Sequence, residues 1–181
     1  TYTTLAKCYI DKGDKIAAQN AVVTAVEKNP ESFDANFNAG QILARSGSNS
    51  NTILPYYKKA AEIKPSNSKV LRELAGTYYD LGNKEESITI FRNAISNEID
   101  KIIKADLYFN LGVIYSQMCD YEEAEIAFDE AFFLNEEDFE AALGMARSYE
   151  GLGDNYLNGS EGCGGAFEKD LDEAAKWFRK A

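Results

Sequence analysis

Between Asn158 and Gly165 the chain reads NGSEGCGG, four glycines and a cysteine in eight residues of a sequence that elsewhere carries helical patterning. Loops of this composition hold phosphates or metals, so each chemistry can be tried on it. A phosphate loop needs GxxxxGK[ST] leading into a helix, and here the glycines lead into Ala166-Phe167. A calcium loop begun at Asp154 would place Asn158 and Gly159 suitably. It would put Tyr156 where a second acid belongs and Gly165 where the bidentate glutamate belongs. Zinc lacks ligands: there is no His, and Cys8, Cys119 and Cys163 are far apart with no CxxC pair. Three cysteines so spaced read as reduced thiols outside any disulfide framework. Paired carboxylates are too common on acidic helices to nominate a catalytic dyad, and no nucleophile stands beside a His base. The expectation is therefore no catalytic residue, no metal, no cofactor and no enzyme. Asn158-Gly159-Ser160 is formally a glycosylation acceptor, here read as coincidence.

Charge narrows the partners. The net charge of −11 comes from 30 acids against 19 bases, and eleven of those acids lie between Asp106 and Ala146, a stretch with no Lys or Arg. Nucleic acid and anionic membranes are repelled by such a segment, and no basic stripe with interleaved aromatics stands elsewhere to offset it. No apolar run approaches the ~20 residues of a membrane span. The chain opens at Thr1, partway into a motif, so it reads as a fragment of a longer protein. The compartment stays open, with the cytoplasm the preferred reading.

Self-similarity organises the remainder. Tyr9, Leu43, Tyr78, Tyr115 and Tyr149 are separated by 34, 35, 37 and 34 positions. Around each stands one frame, clearest as Tyr108-x-x-Leu111-Gly112-x-x-Tyr115, then Ala124-x-x-x-Phe128, then Ala131. Apolar residues at steps of three, four and seven give helical stripes, and a glycine turn divides each pair of stripes, so each unit is a helical hairpin. Small residues at Ala18, Gly40, Ala75, Gly112 and Ala124 let paired helices close to roughly 8–10 Å, while Tyr78, Phe91, Tyr115 and Phe128 fill the space between hairpins. One hairpin cannot bury its stripe alone, so the hairpins must stack.

This frame resembles the tetratricopeptide repeat, W-x-x-L-G-x-x-Y…A-x-x-x-F…P, from Tyr2 to Ala181. The family's tryptophan is replaced by Tyr2, Asn36, Leu71, Tyr108 and Ala142. The resemblance implies an all-α fold, an α/α superhelix (solenoid) of about five hairpins, with first helices lining a concave groove. The units run about 1–32, 33–67, 68–104, 105–138 and 139–181 as a single array.

The last unit is stretched. Tyr149 to Phe178 spans 29 positions against 13 from Tyr115 to Phe128, which places an insertion near 154–169. Met145, Tyr149, Leu152 and Tyr156 share one helical face, so the first helix is expected to run on to about Leu157 and stop at Asn158-Gly159. Gly151 and Gly153 offer an alternative break. The glycine-rich loop then reads as a return path to a second helix carrying Ala174, Phe178 and Ala181. Leu152-Gly153-x-x-Tyr156-x-x-Gly159 and Asp170-x-x-x-Ala174-x-x-Trp177-Phe178 also resemble a Sel-one-like repeat.

The resemblance carries groove contacts onto first-helix positions of this chain. Those expected to matter are Phe37, Asn38, Gln41, Arg45, Lys69, Arg72, Phe109, Asn110, Val113 and Arg147. The first half of the groove would be polar and partly cationic, the second apolar through Phe109, Val113 and Leu143. Some members of the family bind chaperone carboxylate tails. Asn38 and Lys69 match that pattern, but Thr3, Lys7 and Glu73 depart from it, and an acid at Glu73 would repel a carboxylate. The implied function is a protein-interaction adaptor holding a peptide or partner segment in the groove, with amides pairing to its backbone. The alternatives are a solvated inner face with Phe37 and Phe109 packed between repeats, and a structural scaffold that self-associates into homo-oligomers through its ends. The acids from Glu122 to Glu130 begin a second helix and are expected to face outward into solvent.

Overall fold

Among the described residues, four hairpins turn on the same two backbone hydrogen bonds. After α1 (Tyr2–Asp11), Gly13 N–H donates to Ile10 O and Asp14 N–H to Tyr9 O, both at 2.9 Å. The pair recurs at Gly47 and Ser48 after α3 (Phe33–Arg45), at Gly82 and Asn83 after α5 (Ser68–Asp80), and at Cys119 and Asp120 after α7 (Lys101–Met118). The first residue of each pair must enter the left-handed region. Gly13, Gly47 and Gly82 do so at φ 78°, 83° and 81°, where a residue without Cβ is at ease. The fourth turn breaks the glycine pattern, because Cys119 adopts φ 64° in its place.

The second helices follow at once: α2 (Lys15–Lys28), α4 (Ser50–Ile63), α6 (Lys84–Asn97) and α8 (Tyr121–Leu134), with α9 (Phe139–Asn158) opening the last repeat. Asp14 Oδ1 accepts from Ala17 N–H at 3.0 Å and Asn49 Oδ1 from Thr52 N–H at 2.9 Å, each satisfying an otherwise orphaned donor. Ser32, Asn67 and Asp100 cap α3, α5 and α7 in the same way.

The structure, a computed structural model, describes residues 2–137, 139–158 and 179. Among them the nine helices are the whole regular structure, with no strand, as the periodicity predicts. The chain divides into two compact units, Thr1–Asn97 and Glu98–Ala181.

The first unit packs α1 against α2, α3 against α4 and α5 against α6, with α2 on α3 and α4 on α5 linking the hairpins. Its core is small-residue rich: Ala6, Ala18, Val22, Ala39, Ala60 and Ala75 are fully buried, with Ile42, Tyr57, Val70 and Phe91 filling between them. Asn36, at the position where the family carries tryptophan, is buried and uses its amide nitrogen twice. Its Nδ2 donates to Pro30 O at 2.7 Å and to Ser32 O at 2.9 Å, fastening the α2–α3 connection. Ser87 Oγ donates to Ala75 O at 2.8 Å and ties α6 to α5.

The second unit packs α7 on α8 and α8 on α9 around Leu107, Leu111, Ile114, Tyr115, Phe128 and Leu152. As expected, α9 runs long, 20 residues, and it passes through Gly151 and Gly153 without a break. Gly151 has a packing reason: a Cβ there would come within 2.5 Å of the Tyr121 ring. Glu122, Glu123, Asp129 and Glu130 are exposed, as the outward reading of α8 requires, but Glu125 departs from it: it is half-buried and accepts a hydrogen bond from Tyr149 of α9.

One expectation needs correction. Cys8 is an exposed free thiol, but Cys119 is disulfide-bonded and not a reduced thiol. Spacing along the chain misses this because a disulfide requires proximity in the fold, which an odd count without CxxC does not preclude. The readings of the glycine-rich stretch from Gly159 onward, of the return path and of the second helix with Ala174, Trp177 and Phe178 lie outside the described residues.

Candidate functional site

In the second unit α7, α8 and α9 enclose a cavity of about 320 Å³. Helical spacing supplies its walls. Phe109, Val113, Ser116 and Gln117 come from one face of α7, Tyr121 and Phe128 from α8, and Glu140, Gly144 and Arg147 from α9. Phe128 closes the floor and meets Phe109 at a ring distance of 5.6 Å, tilted by 57°. Two glycines make room for that ring, since a Cβ at Gly112 would stand 2.8 Å from it and one at Gly144 2.6 Å. Gly144 thus admits the floor and, lacking a side chain, keeps the space between Glu140 and Arg147 open.

Five of the nine lining residues carry polar groups: Ser116, Gln117, Tyr121, Glu140 and Arg147. Ser116 Oγ is buried and has no hydrogen-bond partner among the described residues. The Arg147 guanidinium is exposed and pairs with no described carboxylate. Beside the cavity, Tyr149 Oη donates to Glu125 Oε1 at 3.0 Å and joins α9 to α8. Burial, and then the Glu125 carboxylate that accepts this bond, push the Tyr149 hydroxyl up to about 12.

The first unit presents a related arrangement with different chemistry. Phe37 stacks on Phe33 at 5.6 Å and meets Tyr57 at 6.0 Å, while the Tyr57 ring lies against Gly40. Burial raises the Tyr57 hydroxyl well above the usual tyrosine range. Glu73 adds to that rise, and Arg72 and Arg45 oppose it, so all three charges act on the hydroxyl. Arg72 Nη2 also pairs with Glu73 Oε1 at 3.1 Å.

The ten groove residues read from the sequence are therefore placed unevenly. Phe109, Val113 and Arg147 meet in the second unit's cavity, while in the first Phe37 packs against Tyr57 and the charges of Arg45 and Arg72 act on its hydroxyl. Gln41 is half-buried and Lys69 exposed. Asn38 and Asn110 spend a donor on their own helices: each Nδ2 bonds the carbonyl four residues back, Asp34 O and Asp106 O, at 2.6 Å. Tyr121, Phe128, Ser116 and Gly144 were not among the expected contacts. The first two lie on a second helix, outside the first-helix rule. Gly144 announces itself only as a glycine inside a helical stripe, a signal that points to close approach. No cluster of three or more His, Cys, Asp or Glu suited to a metal occurs among the described residues, and no described helix is long and apolar enough to cross a membrane.

Comparison with known proteins places this geometry in a family. None of the curated proteins of established function matches the sequence. Among solved structures, the protein MamA superposes with a TM-score of 0.77 at 21% identity, over 99% of this chain and 87% of its own. A tetratricopeptide repeat protein from Parabacteroides merdae gives 0.75 at 24% identity, over 99% of this chain and 63% of its own. YrrB, described as a tetratricopeptide repeat protein with an unusual peptide-binding site, gives 0.69 at 20% identity, over 78% of this chain and 71% of its own. At these identities the likeness is one of fold. Two sequence models of the tetratricopeptide repeat, a module of protein–protein interaction, match residues 3–68 and 66–137, well over half of the chain together. With its helix order and turns, that makes this chain a member of the tetratricopeptide repeat family.

Proposed function

We propose that this chain is an interaction scaffold that seats a peptide or partner segment, with the α7–α8–α9 cavity of its second unit as the anchoring point. The observation that carries this reading is the cavity itself, which sets the Phe109 and Phe128 rings and a glycine beside a rim of polar side chains. A volume of about 320 Å³ is at the small end for a ligand pocket and suits a single apolar side chain more than a cofactor. Hydrogen bonds to an extended backbone would come from side chains flanking it, as in peptide grooves generally. The peptide-binding site named for YrrB supports the assignment by analogy of fold. The five-repeat partition, the absence of catalysis and the exclusion of nucleic acid and membrane belong to the same proposal, resting on the acidic sequence and the absence of His.

The test is selection of a displayed random peptide library on the immobilised chain, followed by fluorescence anisotropy with the enriched peptides. Val113→Trp fills the cavity from a half-buried position and should weaken binding at least about tenfold, whereas Glu123→Arg on the exposed face of α8 should leave it unchanged. Equal binding by all three proteins would remove the cavity from the function.

Self-association is the second reading, and a specific surface favours it. Ile126 and Phe133, seven residues apart on α8, are 60% and 75% exposed. Light scattering over a range of concentrations decides: a mass that stays at one chain length rules it out.

A further inference from the structure

Arg147 is the only basic residue between Lys104 and Lys169, in a stretch crowded with acids. An arginine so surrounded would ordinarily be taken up in an ion pair. Here its guanidinium pairs with no described carboxylate and instead stands at the mouth of the cavity, one side of Gly144, with Glu140 on the other. Because 140, 144 and 147 fall on one face of α9, the acid and the base flank the opening above a floor of Phe109 and Phe128. The structure therefore offers a slot with an apolar floor of Phe109, Val113 and Phe128, with Ser116, Gln117 and Tyr121 also in its wall, one cation on one side and one anion on the other.

We infer that the segment recognised here carries an aromatic or long aliphatic side chain for the slot and one internal Asp or Glu side chain, within about three residues, for Arg147. The inference rests on the peptide-binding reading and specifies its ligand. Charge complementarity sets the limits. A single carboxylate gains the guanidinium, whose planar fork suits it, whereas a second would face Glu140 with no further cation among the described lining residues to meet it. The segment is accordingly neutral or basic apart from that one acid, unlike an acid-rich tail. Ser116 Oγ, buried within the same wall and without a partner, offers one hydrogen bond to a polar atom carried beside the apolar side chain.

The experiment repeats the library selection on the wild-type chain, Arg147→Glu and Val113→Trp, each first checked for native helical content by circular dichroism. The expected result is enrichment of an aromatic or leucine with one acid close by. Arg147→Glu should exchange that acid for Lys or Arg, and Val113→Trp should lose the apolar anchor. Arg147→Ala should weaken synthetic, end-blocked versions of the enriched peptides about fivefold to tenfold. An apolar anchor without any charge preference, or one unchanged in Arg147→Glu, overturns this inference and leaves the peptide reading standing. A requirement for a free C-terminal carboxylate, tested with amidated against free-acid peptides, overturns the internal acid. No enrichment over a blank surface overturns the peptide reading itself and the inference with it.

Discussion

Alanine at Gly40 and alanine at Gly76 should move stability in opposite directions, although both glycines sit inside helices of the same unit. In an open position the substitution gains helix propensity, about 1 kcal/mol. Gly76 on α5 is such a position, because an added Cβ meets nothing within 4 Å. At Gly40 on α3 the same methyl would come within 2.7 Å of Cδ1 and Cζ of Tyr57, and closer still to Cε1. The Tyr57 ring cannot withdraw: it is 2% exposed and meets Phe37 at 6.0 Å on another side. Overpacking of this kind costs about 1–3 kcal/mol beyond the propensity gained. Gly76→Ala should therefore raise the melting temperature by roughly 2–4 °C, and Gly40→Ala should lower it by a similar amount or more. Thermal and urea unfolding followed by far-ultraviolet circular dichroism measure both. If Gly40→Ala stabilises as Gly76→Ala does, the close approach of α3 to the ring of α4 does not exist and the packing account of the hairpin fails.

Two further outcomes follow from single residues. Cys119→Gly places at the fourth turn the residue that the other three turns use, removing a left-handed cost of about 1–2 kcal/mol while forfeiting a disulfide typically contributing about 2–4 kcal/mol. Unfolding should then show the glycine variant as the more stable protein in reductant and the less stable one without it, and an unchanged order refutes the strain assigned to Cys119. Tyr149 has its hydroxyl pushed up to about 12, above the ordinary 10, so the fold favours the protonated form. That contribution is complete below pH 10 and is lost as pH rises towards 12, so Tyr149→Phe should flatten the fall of the urea midpoint over this window, and parallel pH profiles would sink the assignment.

Much of this fold is legible because it repeats. The turn glycines Gly13, Gly47 and Gly82 are visible in the sequence since only glycine enters the left-handed region without cost, and three copies at like spacing cannot be chance. Cys119 escapes the same rule by occupying that backbone region with a side chain, and its disulfide escapes because bonding depends on distance in space. The small positions Gly40 and Gly112 are legible as close contacts for the same reason of recurrence, and each meets a ring of its own hairpin. The cavity is less so. Gly144 belongs to the most divergent repeat, and only the coordinates reveal that both it and Gly112 make room for Phe128. Rotamers are the least legible part: nothing in the residue types says that Asn38 and Asn110 turn back to their own helix carbonyls.

The second and fourth repeats show how one frame yields two surfaces. Asp34, Phe37, Asn38 and Gly40 recur as Asp106, Phe109, Asn110 and Gly112, with the same amide bond to the aspartate carbonyl and the same tilted pair of rings. Residues that match in both repeats serve packing, which each hairpin needs equally. Discrimination must then come from positions that differ: Gln41 against Val113, Arg45 against Gln117, and Tyr57 against Phe128. The last of these changes one atom's worth of chemistry. Tyr57 carries a hydroxyl on which the charges of Arg45, Arg72 and Glu73 act, whereas Phe128 presents a bare ring to a slot guarded by Arg147 and Glu140. A partner that reads the second unit by an apolar side chain cannot be read the same way by the first, because a buried apolar group placed against those charges would strip them of water without replacing it. If the second unit seats an apolar side chain as proposed, the first unit must meet any ligand of its own with different chemistry.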